Sequence, residues 1–161
     1  MASEETVVGK MKDLSLERLG EAEYVAYCNG RADAENSTNF RLVMQFHWEF
    51  HDGELPDSPT LPSQELMDLR TALILEETEE LLEAYHNGDI VEMADAIADL
   101  LYVVYGAADT FGIDADVVFK EVHRSNMTKL GADGLPIYRE DGKILKGPGF
   151  EEPKIAEVLG I

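Results

Sequence analysis

Two runs of carboxylates interrupt stretches that otherwise read as apolar helix, and this conflict limits the possible folds of the chain more than any other feature. Glu76-Glu77-Thr78-Glu79-Glu80 lies between Leu73-Ile74-Leu75 and Leu81-Leu82, and Glu92-Met93-Ala94-Asp95-Ala96-Ile97-Ala98-Asp99 runs directly into Leu100-Leu101-Tyr102-Val103-Val104. At about 100° per residue, with Glu76 at 0°, Glu80 falls near about 40° and Glu77 near about 100°. Ile74, Leu81, Leu82 and Tyr85 fall on the far wall, which predicts one acidic face and one core face. In the second run Glu92, Asp95 and Asp99 share about 60° of surface, and Tyr102 and Gly106 continue the stripe. Like charges three or four residues apart cost an isolated helix about 0.2–0.5 kcal/mol per pair. No Lys or Arg occurs between Arg70 and Lys120 to offset them, so a cation from outside is expected. An oxygen-only donor set with no neighbouring Cys suits a hard divalent ion, Mg²⁺ first and Mn²⁺ second.

The remaining composition narrows the field. A chain of 161 residues is the size of one domain, and 45% hydrophobic content is enough for a core. A net charge of −20 argues against a broad surface for nucleic acid or anionic lipid, since phosphate contacts need clustered cations. The single cysteine, Cys28, cannot form an intrachain disulfide, and Met1-Ala2-Ser3-Glu4-Glu5 lacks the basic and apolar segments of a signal peptide, so a cytoplasmic location is expected. The apolar stretch 100–108 is far short of the roughly 20 residues a membrane span requires.

Helix start and stop signals divide the chain. Residues 1–36 read as a mixed, polar N-terminal extension with a helical pattern at 14–28. Residues 37–161 read as an all-α domain. Ser37 or Thr38 caps a helix to about His51, and the three prolines of 55–62 mark a loop. Ser63 starts a long helix to about His86, closed by Asn87-Gly88. Asp89 caps the next, to Phe111, with Gly112 at its end, and Asp114 or Asp116 opens a fourth to Met127. Four helices with short links predict a four-helix bundle core. The turn-rich tail, with Asp133-Gly134, Asp141-Gly142 and Gly147-Pro148-Gly149, reads as a small hairpin followed by a short helix at 153–159. Apolar residues on more than one side of the long helices, such as Leu75 and Leu100, predict burial against another subunit, hence a homodimer or homotetramer.

Glu76-Glu77-x-x-Glu80 followed after eleven residues by Glu92-x-x-Asp95 resembles the signature of the MazG-like all-α nucleoside triphosphate pyrophosphohydrolases. Asp99-Leu-Leu-Tyr-Val-Val-Tyr-Gly106, Gly112-Ile-Asp114 and Glu121-Val-His-Arg-Ser-Asn-Met-Thr-Lys129 resemble the rest of the core in the phosphoribosyl-ATP pyrophosphohydrolase-like branch. About two-thirds of the chain, residues 40–149, takes part. The resemblance implies a helical dimer or tetramer that binds Mg²⁺ or Mn²⁺, two or more ions per site, and cleaves a (deoxy)nucleoside triphosphate to the monophosphate and pyrophosphate, with dGTP, dUTP and dCTP as candidates. The implied chemistry is metal-assisted attack of water, with a carboxylate accepting its proton. Glu76, Glu77 and Glu80 are the catalytic candidates, and Glu76, Glu77, Glu80, Glu92, Asp95 and Asp99 the metal ligands. In many members of the family the Glu-x-x-Asp pair directly precedes the apolar run, which makes Asp99 its Asp and puts Ala96 where the Glu would stand. Glu92 also has a metal-free reading, as the third helical residue of a capping box opened by Asp89.

Phosphate oxygens not held by metal need donors, and Arg124, Asn126, Lys129, Lys143 and Lys146 form a compact basic group. Arg124 and Lys129 would equally suit the dipole at a helix C-terminus. Phe46, Trp48 and Phe50 are candidates to stack on a base, against the alternative that aromatics at helical spacing are core. Two rival classes remain: an acidic binding protein that mimics DNA, and a di-iron carboxylate bundle. The first leaves the alignment of carboxylates on apolar helices unexplained. The second requires two Glu-x-x-His motifs, and the sequence has Glu83-Ala84-Tyr85-His86 alone.

Overall fold

A computed structural model describes residues 38–50 and 55–161; the expected extension 1–36 and its helical pattern lie outside the described residues. The fold is all-α. Among the described residues five helices follow in order: α1 Thr38–Phe50, α2 Gln64–Asn87, α3 Ile90–Thr110, α4 Ala115–Met127 and α5 Ile155–Leu159. Two isolated antiparallel bridges, Leu130–Pro136 and Tyr138–Ile144, stand where the hairpin was expected. The chain divides into two compact units, one ending at Gly112 and one spanning Ile113–Ile161.

Side chains written into the sequence set the helix ends. Ser63 accepts a hydrogen bond from the Leu66 N–H at 3.3 Å, Asp89 from Val91 and Glu92, and Asp114 from Asp116 and Val117, which satisfies donors left open in each first turn. Gly88 closes α2 in the left-handed conformation, φ 68°, and its N–H bonds to the Ala84 and Tyr85 carbonyls. Gly112 has φ 66°, and a Cβ there would lie 2.4 Å from the Ser58 carbonyl oxygen. The proline-rich loop is further held by a bond from Thr60 N–H to Phe111 O at 3.0 Å.

In the first unit α2 and α3 form an antiparallel pair and α1 packs on α3. The buried apolar side chains are Phe40, Val43, Met44 and Trp48 on α1, Ala84 on α2 and Ala96 on α3. One expectation is corrected here. Of the wall opposite the acidic run, Ile74 and Leu81 are half-buried as expected, but Leu82 is 53% and Tyr85 69% exposed. The covered side of α2 carries Arg70, Leu73, Ile74, Glu77, Leu81 and Ala84, a three-and-four spacing that makes a packing stripe. Glu77 therefore lies within the packed seam.

The second unit is organised around α4. The Arg124 guanidinium donates to both Glu121 oxygens, at 2.8 and 2.9 Å, and to Glu151 at 2.7 Å. Ser125 Oγ donates to the Glu151 carbonyl and Thr128 Oγ1 accepts from the Glu151 N–H. The Lys154 N–H donates to Glu121 at 2.7 Å, so the segment leading into α5 is strapped along α4 by three of its side chains and by that of its C-cap, Thr128.

Candidate metal-binding carboxylate seam

The two acidic runs meet across the α2–α3 pair. The Glu77 carboxyl is pushed above the ordinary glutamate value, first by burial and then by the charges of Glu80, Asp99, Glu76 and Asp95. Both helices thus contribute to one negatively charged cluster, as their expected faces required. Glu77 is half-buried, whereas Glu76, Glu80, Glu92, Asp95 and Asp99 are exposed. Among the described residues no three His, Cys, Asp or Glu side chains converge as a ready-made metal site. The donor chemistry nonetheless fits a hard divalent ion. It is oxygen-only, it comes from two adjoining helices, and its most buried member bears the charge of four neighbouring carboxylates.

Toward the turn that joins α2 to α3 the seam opens into a pocket of about 360 Å³, lined by Glu80, Glu83, Glu92 and Asp95 together with Ala84, Asn87 and Ala96. Glu92 faces this pocket. Asp89 does cap α3, but among the described residues the Asp89 N–H donates no return bond to the Glu92 carboxylate, so only half of the capping box forms. Glu92 is also absent from the charges that act on Glu77. Glu80 and Asp95 belong both to the pocket and to the group around Glu77, while Asp99 belongs to that group alone. Ala96 is buried beside the pocket, so position 96 serves packing.

The aromatic candidates separate. Trp48 is core. Phe46 and Phe50 are exposed and stacked, 4.5 Å between centroids, and Phe46 meets Tyr102 edge-on at 5.6 Å. Tyr102, whose phenol burial pushes above its usual value, is one turn from Asp99 and completes an aromatic shelf on α1 and α3. Its place on the acidic stripe follows from its spacing of three from Asp99.

Beyond Tyr102 on the same stripe lies a buried polar cluster that sequence reasoning missed. His47 Nδ1 and Asp109 Oδ2 are 2.9 Å apart, and their side chains are 3% and 0% exposed. Arg70, buried on α2, has its guanidinium pushed below the usual value by burial, against the opposing pull of Asp109.

In the second unit the basic group is unevenly engaged. Arg124 is taken up by Glu121 and Glu151, and Lys146 pairs with Glu152 at 2.6 Å while lying 4.2 Å over the Phe150 ring. Asn126 and Lys143 are exposed and Lys129 is half-buried. Lys129 and the lysine loop are drawn together by a backbone bond from Gly147 N–H to Lys129 O at 3.2 Å.

No helix among the described residues is long and apolar enough to cross a membrane. The phosphoribosyl-ATP pyrophosphohydrolase family model matches residues 43–126, just over half of the chain. The matched region contains all six seam carboxylates and ends at Asn126, before the three lysines. The chain is also similar to an uncharacterized protein of Acanthamoeba polyphaga mimivirus, 29% identical over 117 residues, which are 71% of this chain and 44% of that protein. It thus spans less than half the length of this relative.

Proposed function

Given that the chain belongs to the phosphoribosyl-ATP pyrophosphohydrolase family, we propose that it is a nucleotide pyrophosphohydrolase that converts a (deoxy)nucleoside triphosphate to the monophosphate and pyrophosphate. The observation that carries this reading is the half-buried Glu77 surrounded by carboxylates from both α2 and α3. Such an arrangement costs stability in a protein with no use for a cation. Glu77, Glu80, Asp95 and Asp99 would hold Mg²⁺ or Mn²⁺, with Glu76 and Glu92 as further oxygen donors. The bound ions would supply charge neutralisation on the phosphoryl oxygens. Glu76, exposed at the edge of the cluster, is suited to take a proton from the attacking water. Asn126, Lys129, Lys143 and Lys146 are proposed as donors to phosphate oxygens. Phe46, Phe50 and Tyr102 offer a stacking surface for the base, with dGTP, dUTP and dCTP as the candidate substrates.

Arg124 is the weakest of the phosphate donors, since its three hydrogen bonds already go to carboxylates. Lys129→Ala is expected to raise KM and lower kcat moderately. The reading is tested by pyrophosphate release from the eight common NTPs and dNTPs with Mg²⁺ or Mn²⁺ against a chelator control. Metal-dependent release from one or a few identifies the base preference. Release from none, with the fold intact, transfers support to an unusual nucleotide substrate or to an acidic binding protein.

A further inference from the structure

Three helices meet at one glycine. A Cβ at Gly106 on α3 would stand 3.1 Å from His47 Nε2 on α1 and 3.5 Å from Arg70 Nη1 on α2. The hydrogen at this position lets both side chains lie against the α3 backbone. His47 is tied to Asp109, less than one turn further along α3, and Thr110 Oγ1 donates to the Gly106 carbonyl at 2.8 Å. Arg70 is only 8% exposed and its Nε has no hydrogen-bond acceptor among the described residues. A buried cation of this kind is not a cheap way to hold helices together. Apolar side chains of similar volume commonly give equal or greater stability, so what sets this buried cluster apart is the geometry it fixes and not its net stabilisation.

The register supplies that duty. Arg70 precedes Glu77 by seven residues, two helical turns, so both lie on the same side of α2. Asp99, Tyr102, Gly106 and Asp109 follow one another at spacings of three and four along one side of α3. The cluster and the carboxylates therefore share both helix faces. A rotation of α2 against α3 at Arg70 and Gly106 is transmitted to Glu77 and Asp99 through rigid, packed helix.

Resting on the nucleotide-hydrolase reading, we propose that His47, Arg70 and Asp109, with Gly106 as the surface they close on, are positioning residues that set the rotation of α2 against α3 and so the spacing of the metal-binding carboxylates. None of them touches substrate; each acts through Glu77, Glu80, Asp95 and Asp99. The hydrogen bond to Asp109 fixes the His47 ring, and the buried Arg70 guanidinium lies beside it against α3.

The experiment is Mn²⁺ affinity of the full chain, read by electron paramagnetic resonance or calorimetry without nucleotide, alongside thermal unfolding. Asp109→Asn and Gly106→Ala are compared with Val43→Ala, a packing control one turn from His47 on α1 that removes buried volume but none of the polar groups of the cluster. Asp109→Asn and Gly106→Ala are each expected to weaken Mn²⁺ binding about tenfold, in the range found when groups supporting metal ligands are altered. Val43→Ala should lower the melting temperature and leave the affinity of the folded protein unchanged. If one cluster variant fails to fold, the other decides. Wild-type affinity in a folded cluster variant, or a loss equal to that in Val43→Ala, overturns the proposal. No Mn²⁺ binding by the wild-type chain removes the nucleotide-hydrolase reading itself, and this proposal with it.

Discussion

Glu77 is the residue at which the two demands on this chain collide, for it belongs to the packing stripe of α2 and to the acidic cluster at once. Its neighbours Glu80, Asp99, Glu76 and Asp95 each disfavour its charge, and a bound divalent ion would reverse the sign of that environment. Removing one carboxylate should therefore have opposite effects with and without metal. Glu80→Gln is expected to unfold at the same temperature as wild type or higher in chelator, because repulsion is relieved. In saturating Mn²⁺ the order should invert. A ligand at 100 times its dissociation constant stabilises the wild-type fold by about 2.7 kcal/mol, and the variant forgoes part of that gain along with turnover. Melting curves in EDTA and in Mn²⁺ read this directly, and a Glu80→Gln protein with wild-type turnover and an equal Mn²⁺ shift removes Glu80 from the site. The carboxylates were legible in the sequence because their spacing is local to one helix. The His47–Asp109 pair was not, since 62 residues separate its members, and nothing in the spacing of either helix announces a partner on another.

At the scale of elements, the helix ends were legible because capping is written in residues beside the boundary: Ser63, Gly88, Asp89, Gly112 and Asp114 all stand where they were expected. What each helix buries was less so. Periodicity gives the angle between faces but not which face meets a neighbour, and Leu82 and Tyr85 show the result. The strap on α4 is another tertiary feature, and its pH dependence follows from Glu121. Hydrogen bonds from Arg124 and then from the Lys154 N–H lower its carboxyl from 4.5 to about 2. A folded-state value below the unfolded one means that its contribution is complete above about pH 4.5 and is lost as pH falls toward 2. Glu121→Gln should thus reduce resistance to denaturant at pH 7, with the deficit shrinking below about pH 4.5. An unchanged deficit at pH 3 would show that Glu121 acts by packing alone. The lysine loop makes a separate prediction. A Cβ at Gly147 would stand 1.9 Å from the Leu130 carbonyl oxygen, so Gly147→Ala must break the Lys129–Gly147 connection. If Lys129 and Lys146 bind phosphate, this variant raises KM while the melting of the helices changes little; a KM equal to wild type separates the loop from the substrate.

For the whole molecule, the decisive quantity is the apolar surface that a single chain leaves in water. Leu75, Leu82 and Tyr85 on α2, and Ile97, Leu101 and Val104 on α3, are all exposed, on the helices that also carry the carboxylates. Soluble monomers rarely leave contiguous apolar patches of more than a few hundred Å² uncovered. A net charge of −20 keeps such a chain from precipitating but does not cover the patch, and it opposes association wherever acidic faces would be brought together. Self-association is therefore expected to use the leucine-bearing sides of α2 and α3 and to keep the carboxylate seam out of the contact. Sedimentation of the 17.9 kDa chain at micromolar concentration should report a dimer or tetramer. Leu82→Glu, which places a charge within the patch and away from the seam, should shift that distribution toward monomer. Mn²⁺ affinity separates the two roles of these helices: if the apolar sides serve only association, the Leu82→Glu monomer binds Mn²⁺ as wild type does. A monomeric wild-type protein would contradict the assembly, and a Leu82→Glu variant that remains fully associated would exclude this side of α2 as its interface.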